Sequence, residues 1–94
     1  FKGPAIRWED LLSQGFDVVK VDCEGCEWTL EGRHISMAPL WLVEVTGSLE
    51  RFLLRVPRGY RVKVVSRGLD SDSMRPTYLL LIYRSELSPS RKLR

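Results

Sequence analysis

Six consecutive residues, Asp22-Cys23-Glu24-Gly25-Cys26-Glu27, concentrate the chemistry of this chain: three carboxylates and two thiols around one glycine. Carboxylates so clustered can orient a hydroxyl or an amine, accept its proton, or bind a metal. A valine-rich run precedes Asp22, and a carboxylate that ends an apolar strand is costly without a partner. Glu24 and Glu27 stand where a helix begins, and their attraction to the helix N-terminus is the plainer account of them. For Glu27 that account and a site role balance; for Asp22 the site role is the better one. Gly25 permits a backbone turn that other residues resist. Glu44, near the end of the next apolar strand, is placed to point at the same crevice.

The cysteine pair has its own chemistry to weigh. A Cys-x-x-Cys at a strand-to-helix junction suits thiol–disulfide exchange. Arg75-Pro76-Thr77 ahead of an apolar strand resembles the proline-then-strand element of thioredoxin-like proteins. Against this, Asp22, Glu24 and Glu27 surround the thiols, and negative neighbours disfavour a thiolate. The tryptophan usual before the first cysteine is missing, since Trp28 follows the second. Zinc would need a fourth ligand beyond Cys23, Cys26 and His34, so no metal is assigned. His34 is read as a surface or capping residue, and the cysteines as two part-buried thiols.

The elements that must position these groups alternate. Residues 6–14 read as a short helix with an apolar stripe of Trp8, Leu11 and Leu12, stopped by Gly15. Phe16 to Asp22 is a valine-rich strand. A second helix is expected at about Gly25–Glu31, closed by Gly32, and a strand at Leu40–Val45 after Pro39. Ser48 is a good N-cap for a helix over 49–56, where Leu49, Phe52, Leu53 and Val56 share a face. Pro57 ends it. Tyr60–Val65 alternates apolar and charged residues, as a strand with one wet face does. A polar stretch, 66–76, leads into Thr77–Tyr83, which is apolar on both faces and so central. Strands alternating with helices predict an α/β fold with a largely parallel sheet, and the final pair of strands, lacking a helix between them, should be antiparallel. Trp8, Trp28 and Trp41 fall at core positions.

Composition agrees with one small globular domain over residues 1–94. The chain is 44% hydrophobic and 29% charged, too mixed for a disordered segment. No apolar run is long enough to span a bilayer, and no leader pattern opens the chain, so a cytoplasmic protein is expected. Its first residue, Phe1, fits a fragment or a processed chain. Residues 1–50 hold nine acids against four bases, and residues 51–94 eleven bases against three acids. That split raises a nucleic-acid-binding module as an alternative, but the arginines are spread through elements and turns, and a solvated basic surface is the simpler reading. The tail, about 85–94, is expected to be flexible.

The run Asp17-Val-Val-Lys-Val-Asp-Cys-Glu-Gly-Cys-Glu-Trp28 resembles the signature of FkbM-type methyltransferases, a strand ending in aspartate followed by "xEGxE" and an aromatic. The strand ending at Glu44, the Gly59-Tyr60 pair that opens a strand, the closing apolar strand and the helix at Ile6–Leu12 agree with that family. The Asp-x-Glu-Gly-x-Glu segment is its specific part. The resemblance implies a class I methyltransferase fold, Rossmann-like, with seven strands of which the last is antiparallel. This chain would supply about four of them, with helices on both faces, as the C-terminal half of the domain. It implies S-adenosylmethionine as the cofactor of the complete protein and transfer of a methyl group to an acceptor oxygen on a small-molecule or sugar-type acceptor. Asp22 and Glu24 become candidate acceptor-orienting or proton-accepting groups, with Glu27 and Glu44 beside them and Asp22 at the floor of the cofactor cleft. The glycine-rich half that approaches the cofactor has no counterpart here, because the seven glycines include no G-x-G pair. The isolated chain is therefore expected not to bind the cofactor. Its partner is expected to be the missing half, or a second copy pairing through the bare strand 17–22.

Overall fold

The computed structural model describes residues 7–23 and 25–87. Its elements are α1 (Trp8–Leu12), β1 (Val18–Val21), a 3₁₀ turn (Cys26–Thr29), α2 (Gly32–Ile35), β2 (Leu40–Thr46), α3 (Leu49–Leu53), β3 (Tyr60–Leu69) and β4 (Pro76–Arg84). The four strands form one mixed sheet in the order β1-β2-β4-β3. β1 and β2 are parallel, and β4 is antiparallel to both β2 and β3. It follows that β1, β2 and β3 all run one way, with β4 inserted against them. The apolar character of β4 on both faces therefore has its expected cause: a strand hydrogen-bonded on both sides at the centre of the sheet.

Alternation within the strands separates two faces. On one, Val19, Trp41, Ile82 and Val62 form a row, followed by Val21, Val43, Leu80 and Val64. Leu12 from α1, Ile35 from α2 and Phe52 from α3 pack with these residues into a single core, with Trp8 and Trp28 half-buried against it. Trp41 is fully buried, and its indole N–H donates to the carbonyls of Ile35 and Ala38. Helices on both faces were expected; α1, α2 and α3 instead all contribute to this one face. For α2 and α3, which lie in the connections between strands, the reason is topological. The connections β1→β2 and β2→β3 advance in the same direction across the sheet, and right-handed crossovers that do so land on the same side. The second face carries Val18, Leu40, Tyr83 and Arg61 in one row and Lys20, Leu42, Leu81 and Lys63 in the next. None of these belongs to the core.

Three local differences from the expected elements have identifiable causes. The helix expected over 25–31 is a 3₁₀ turn followed by a break, because Leu30 and Glu31 are extended. Gly32 begins α2 rather than closing the preceding helix; a side chain there would lie 3.0 Å from the Arg55 carbonyl. α2 starts with a reciprocal pair, the His34 amide donating to the Glu31 carbonyl and His34 Nδ1 accepting from the Glu31 amide. His34 is a capping residue as expected, but it is buried, with the Trp8 ring beside it, and is no surface residue. α3 begins as expected, with Ser48 Oγ accepting from the Arg51 amide, but stops at Leu53. Val56 precedes a proline and is biased away from helix, which shortens the run.

β3 and β4 are longer than the alternating pattern implied, reaching Leu69 and Pro76 around a tight turn at 70–75. A bulge between Val64 and Ser66 shifts the pairing, and the two strands end level with β2, where the Gly47 amide donates to the Pro76 carbonyl. Of the tail expected over 85–94, Ser85 is tied down: its amide and its hydroxyl both donate to the Gly59 carbonyl. Residues 88–94 lie outside the described ones. Among the described residues no helix is long and apolar enough to cross a membrane.

Candidate functional site

The carboxyl ends of β1 and β2 and the β3–β4 turn meet at one rim of the sheet. Gly25 adopts φ +85° there, a left-handed conformation that favours glycine, and it launches the 3₁₀ turn. The turn carries Glu27 inward until only 1% of it is exposed, and its Oε2 accepts from the Thr46 amide at 3.0 Å. The other carboxylate oxygen, Oε1, is buried and meets no donor among the described residues. Trp28 fixes the turn against the core. Its indole N–H donates to the Thr46 carbonyl, and its ring packs edge-on against Phe52. Arg55 completes the anchorage by donating to the Trp28 and Leu30 carbonyls at 2.8 Å each, with its guanidinium over the Trp28 ring.

A cavity of about 300 Å³ opens on this rim, lined by Glu27, Trp28, Glu44, Thr46, Asp70 and Arg75, among others. Two of the carboxylates anticipated from the sequence, Glu27 and Glu44, therefore share one cavity. Asp22 does not line it. Its side chain is 64% exposed and lies 3.6 Å from the Lys20 ammonium. The register nevertheless keeps Asp22 close to Glu44, for the last β1–β2 pair is Val21↔Val43 and these two residues are each one step beyond. Glu24 lies outside the described residues. Cys23 and Cys26 are joined in a disulfide, in place of the two thiols read from the sequence. Their Cα atoms are 5.6 Å apart, an ordinary separation for a bridge.

Asp70, Ser73 and Arg75, from the β3–β4 turn, were not anticipated. The Asp70 carboxylate accepts from the Ser73 hydroxyl and amide, and these bonds hold its carboxyl below the usual aspartate range. The signal was present as Asp70-x-x-Ser73, a pattern that closes a turn by side-chain-to-backbone bonding. What the pattern does not say is that the turn folds over the end of β2, because that depends on the extra length of β3. Arg75 reaches back beside Gly47, where φ is +111° and an added Cβ would lie 3.2 Å from the Arg75 Nη2. Among the described residues no carboxylate forms an ion pair with Arg75, and no cluster of three or more His, Cys, Asp or Glu is arranged to hold a metal.

The rim offers a buried carboxylate with one oxygen unengaged, a second carboxylate, and a cation set apart from both. Such a cavity can accept hydrogen bonds from a ligand's hydroxyl or amine and take up its proton. Comparison finds no family model, no curated protein and no solved structure that matches the chain.

Proposed function

We propose that this chain is the acceptor-side half of an S-adenosylmethionine-dependent O-methyltransferase of the FkbM type. The observation that carries the proposal is that Glu27 and Glu44 converge on one cavity at the carboxyl ends of parallel strands, the place where open α/β sheets bind ligands. The antiparallel last strand supports it, being the feature that the resemblance implies for the sheet.

The residues present do not fit the whole cofactor. Of the two strand-to-helix turns that carry a glycine, the one at Gly47 is filled by the Arg75 guanidinium, and the one at Gly25 has no second glycine beside it to complete a glycine-rich turn. No step is therefore assigned to the cofactor, whose site belongs to the other half. The work of this chain is to hold the acceptor. Methyl transfer is an in-line displacement, so fixing the attacking oxygen contributes most. Glu44, half-buried at the cavity, accepts the hydrogen bond of the acceptor hydroxyl and can take up its proton, while the buried Glu27 carboxylate adds negative charge behind it. Trp28 supplies an apolar wall. Asp22, exposed beside Lys20, orients the acceptor from outside the cavity, and Glu24 belongs to the same group by its place in the signature.

The test is to supply the missing half. Joined to the glycine-rich half of an FkbM-type enzyme, the chain should transfer labelled methyl groups to a sugar hydroxyl, and Glu27→Gln with Glu44→Gln should abolish transfer. Transfer that survives both changes would overturn the assignment. Calorimetry of the chain alone should show no S-adenosylmethionine binding, and a tight complex would overturn the half-site.

A further inference from the structure

We infer that the uncovered face of the sheet is a docking surface for an amphipathic helix whose apolar stripe is flanked by acidic side chains. The inference stands on the sheet alone and holds whether or not the chain is a methyltransferase half.

Leu40 and Leu42 from β2 and Leu79, Leu81 and Tyr83 from β4 form two adjacent apolar columns at the middle of this face, with Val18 beside them on β1. They are half-buried by one another, Val18 is 56% exposed, and none of them joins the core. A solvated sheet face alternates with polar residues; these two central strands do not. An apolar patch of this kind on a small chain marks an interaction site.

Charge identifies the occupant. Arg61 and Lys63, which form no ion pair among the described residues, stand on one side of the columns, and Lys20, ion-paired with Asp22, stands on the other, in register across the sheet. Glu44, at the carboxyl end, is the one acid on this face of the described strands. A helix laid along the columns thus meets two unpaired cations on the β3 flank. On the other flank it meets a third, Lys20, whose single exposed ion pair with Asp22 is exchangeable, and carboxylates flanking the helix's apolar stripe complement them. A second copy of the chain would oppose like charges at both edges. A lipid surface fits less well, because the tryptophans that favour a membrane interface all pack with the covered face.

The experiment titrates the 94-residue chain with two synthetic amphipathic helices that share a leucine stripe, one flanked by glutamates and the other by lysines. The acidic helix should bind at least tenfold more tightly, shift the amide resonances of Leu42 and Leu81, and weaken as salt is added. Arg61→Glu with Lys63→Glu, both exposed, should reverse the preference without changing the melting temperature. Equal binding of the two helices, or binding of neither, overturns the inference. So does a dimer in light scattering that Leu81→Glu dissociates, since a second copy would then cover the face. Stronger binding to phosphatidylserine vesicles than to the acidic helix overturns it as well.

Discussion

β2 shows both faces of the sheet within seven residues. Trp41, Val43 and Val45 are fully buried, whereas Leu40, Leu42 and Glu44, which alternate with them, are only half-buried. Apart from Glu44 and Thr46 at the carboxyl end, the β2 side chains on the two faces are of similar apolar type, so strand chemistry does not separate them. Cover does. α1, α2 and α3 reach one face, and there the side chains gain close packing as well as removal from water. The other face has the apolar residues of a core and none of its neighbours. A sheet that is hydrophobic on both sides specifies two covering layers, and the described residues supply one.

Substitution at adjacent positions of β2 should break this comparison if it is wrong. Trp41→Ala removes a fully buried ring together with the indole N–H that donates to the Ile35 and Ala38 carbonyls. A loss of about 3–5 kcal/mol is expected, enough to unfold a small chain. Leu42→Ala on the open face should cost about 1 kcal/mol or less. Urea titration of the two variants decides the matter. Equal losses would mean that something in the free chain already packs on the open face.

Arg55→Met sharpens the comparison on the covered side. It keeps an apolar stem but leaves the Trp28 and Leu30 carbonyls without their donor, and it removes the cation from the Trp28 ring. A loss of about 1.5–3 kcal/mol is expected, with Trp28 fluorescence shifting toward that of a solvated indole. Glu27→Gln should move stability less, by roughly 0.5 kcal/mol or under, because an amide oxygen still accepts from Thr46. A large destabilisation in that variant would show that Oε1 has a structural partner, and so would remove the unengaged oxygen from the site.

The sequence made most of this arrangement legible, and the exceptions share a cause. The strand identities followed from valine and leucine runs, and the central place of β4 followed from its two apolar faces. Glu27 and Glu44 were recognisable because a carboxylate at the end of an apolar strand, or just after it, demands a reason. The one-sided helix layer was not legible, since an apolar face reads the same whether covered or bare. Gly32 carries no mark that distinguishes a helix stop from a close approach to Arg55, which lies on a different element. His34 was seen as a possible cap but not as buried, because its partner, Glu31, sits in a stretch that reads as helix. The Asp70–Arg75 turn joined the site because β3 and β4 end level with the carboxyl end of β2, a register set by pairing across the sheet. Apart from the local Glu31–His34 pair, each miss depended on contacts between residues distant in sequence.

The weakest expected effect tests how that turn is held at the rim. Hydrogen bonds from the Ser73 hydroxyl and amide favour ionised Asp70, which lowers its folded-state pKa below the ordinary value of 3.8. A carboxyl depressed in this way stabilises the fold fully above its unfolded value and loses that contribution as pH falls through the lower, folded value. The turn should therefore stay closed at neutral pH and loosen only below about pH 4. Because Asp70 is solvent-accessible, the change in global stability should be slight, and the Ser73 amide resonance is the sensitive probe. Its midpoint should lie below 3.8, and Asp70→Asn, which can still accept from Ser73, should abolish the titration while keeping the turn. A Ser73 midpoint at or above the ordinary aspartate value would mean that the bond does not hold the turn, leaving Arg75 free to leave the cavity.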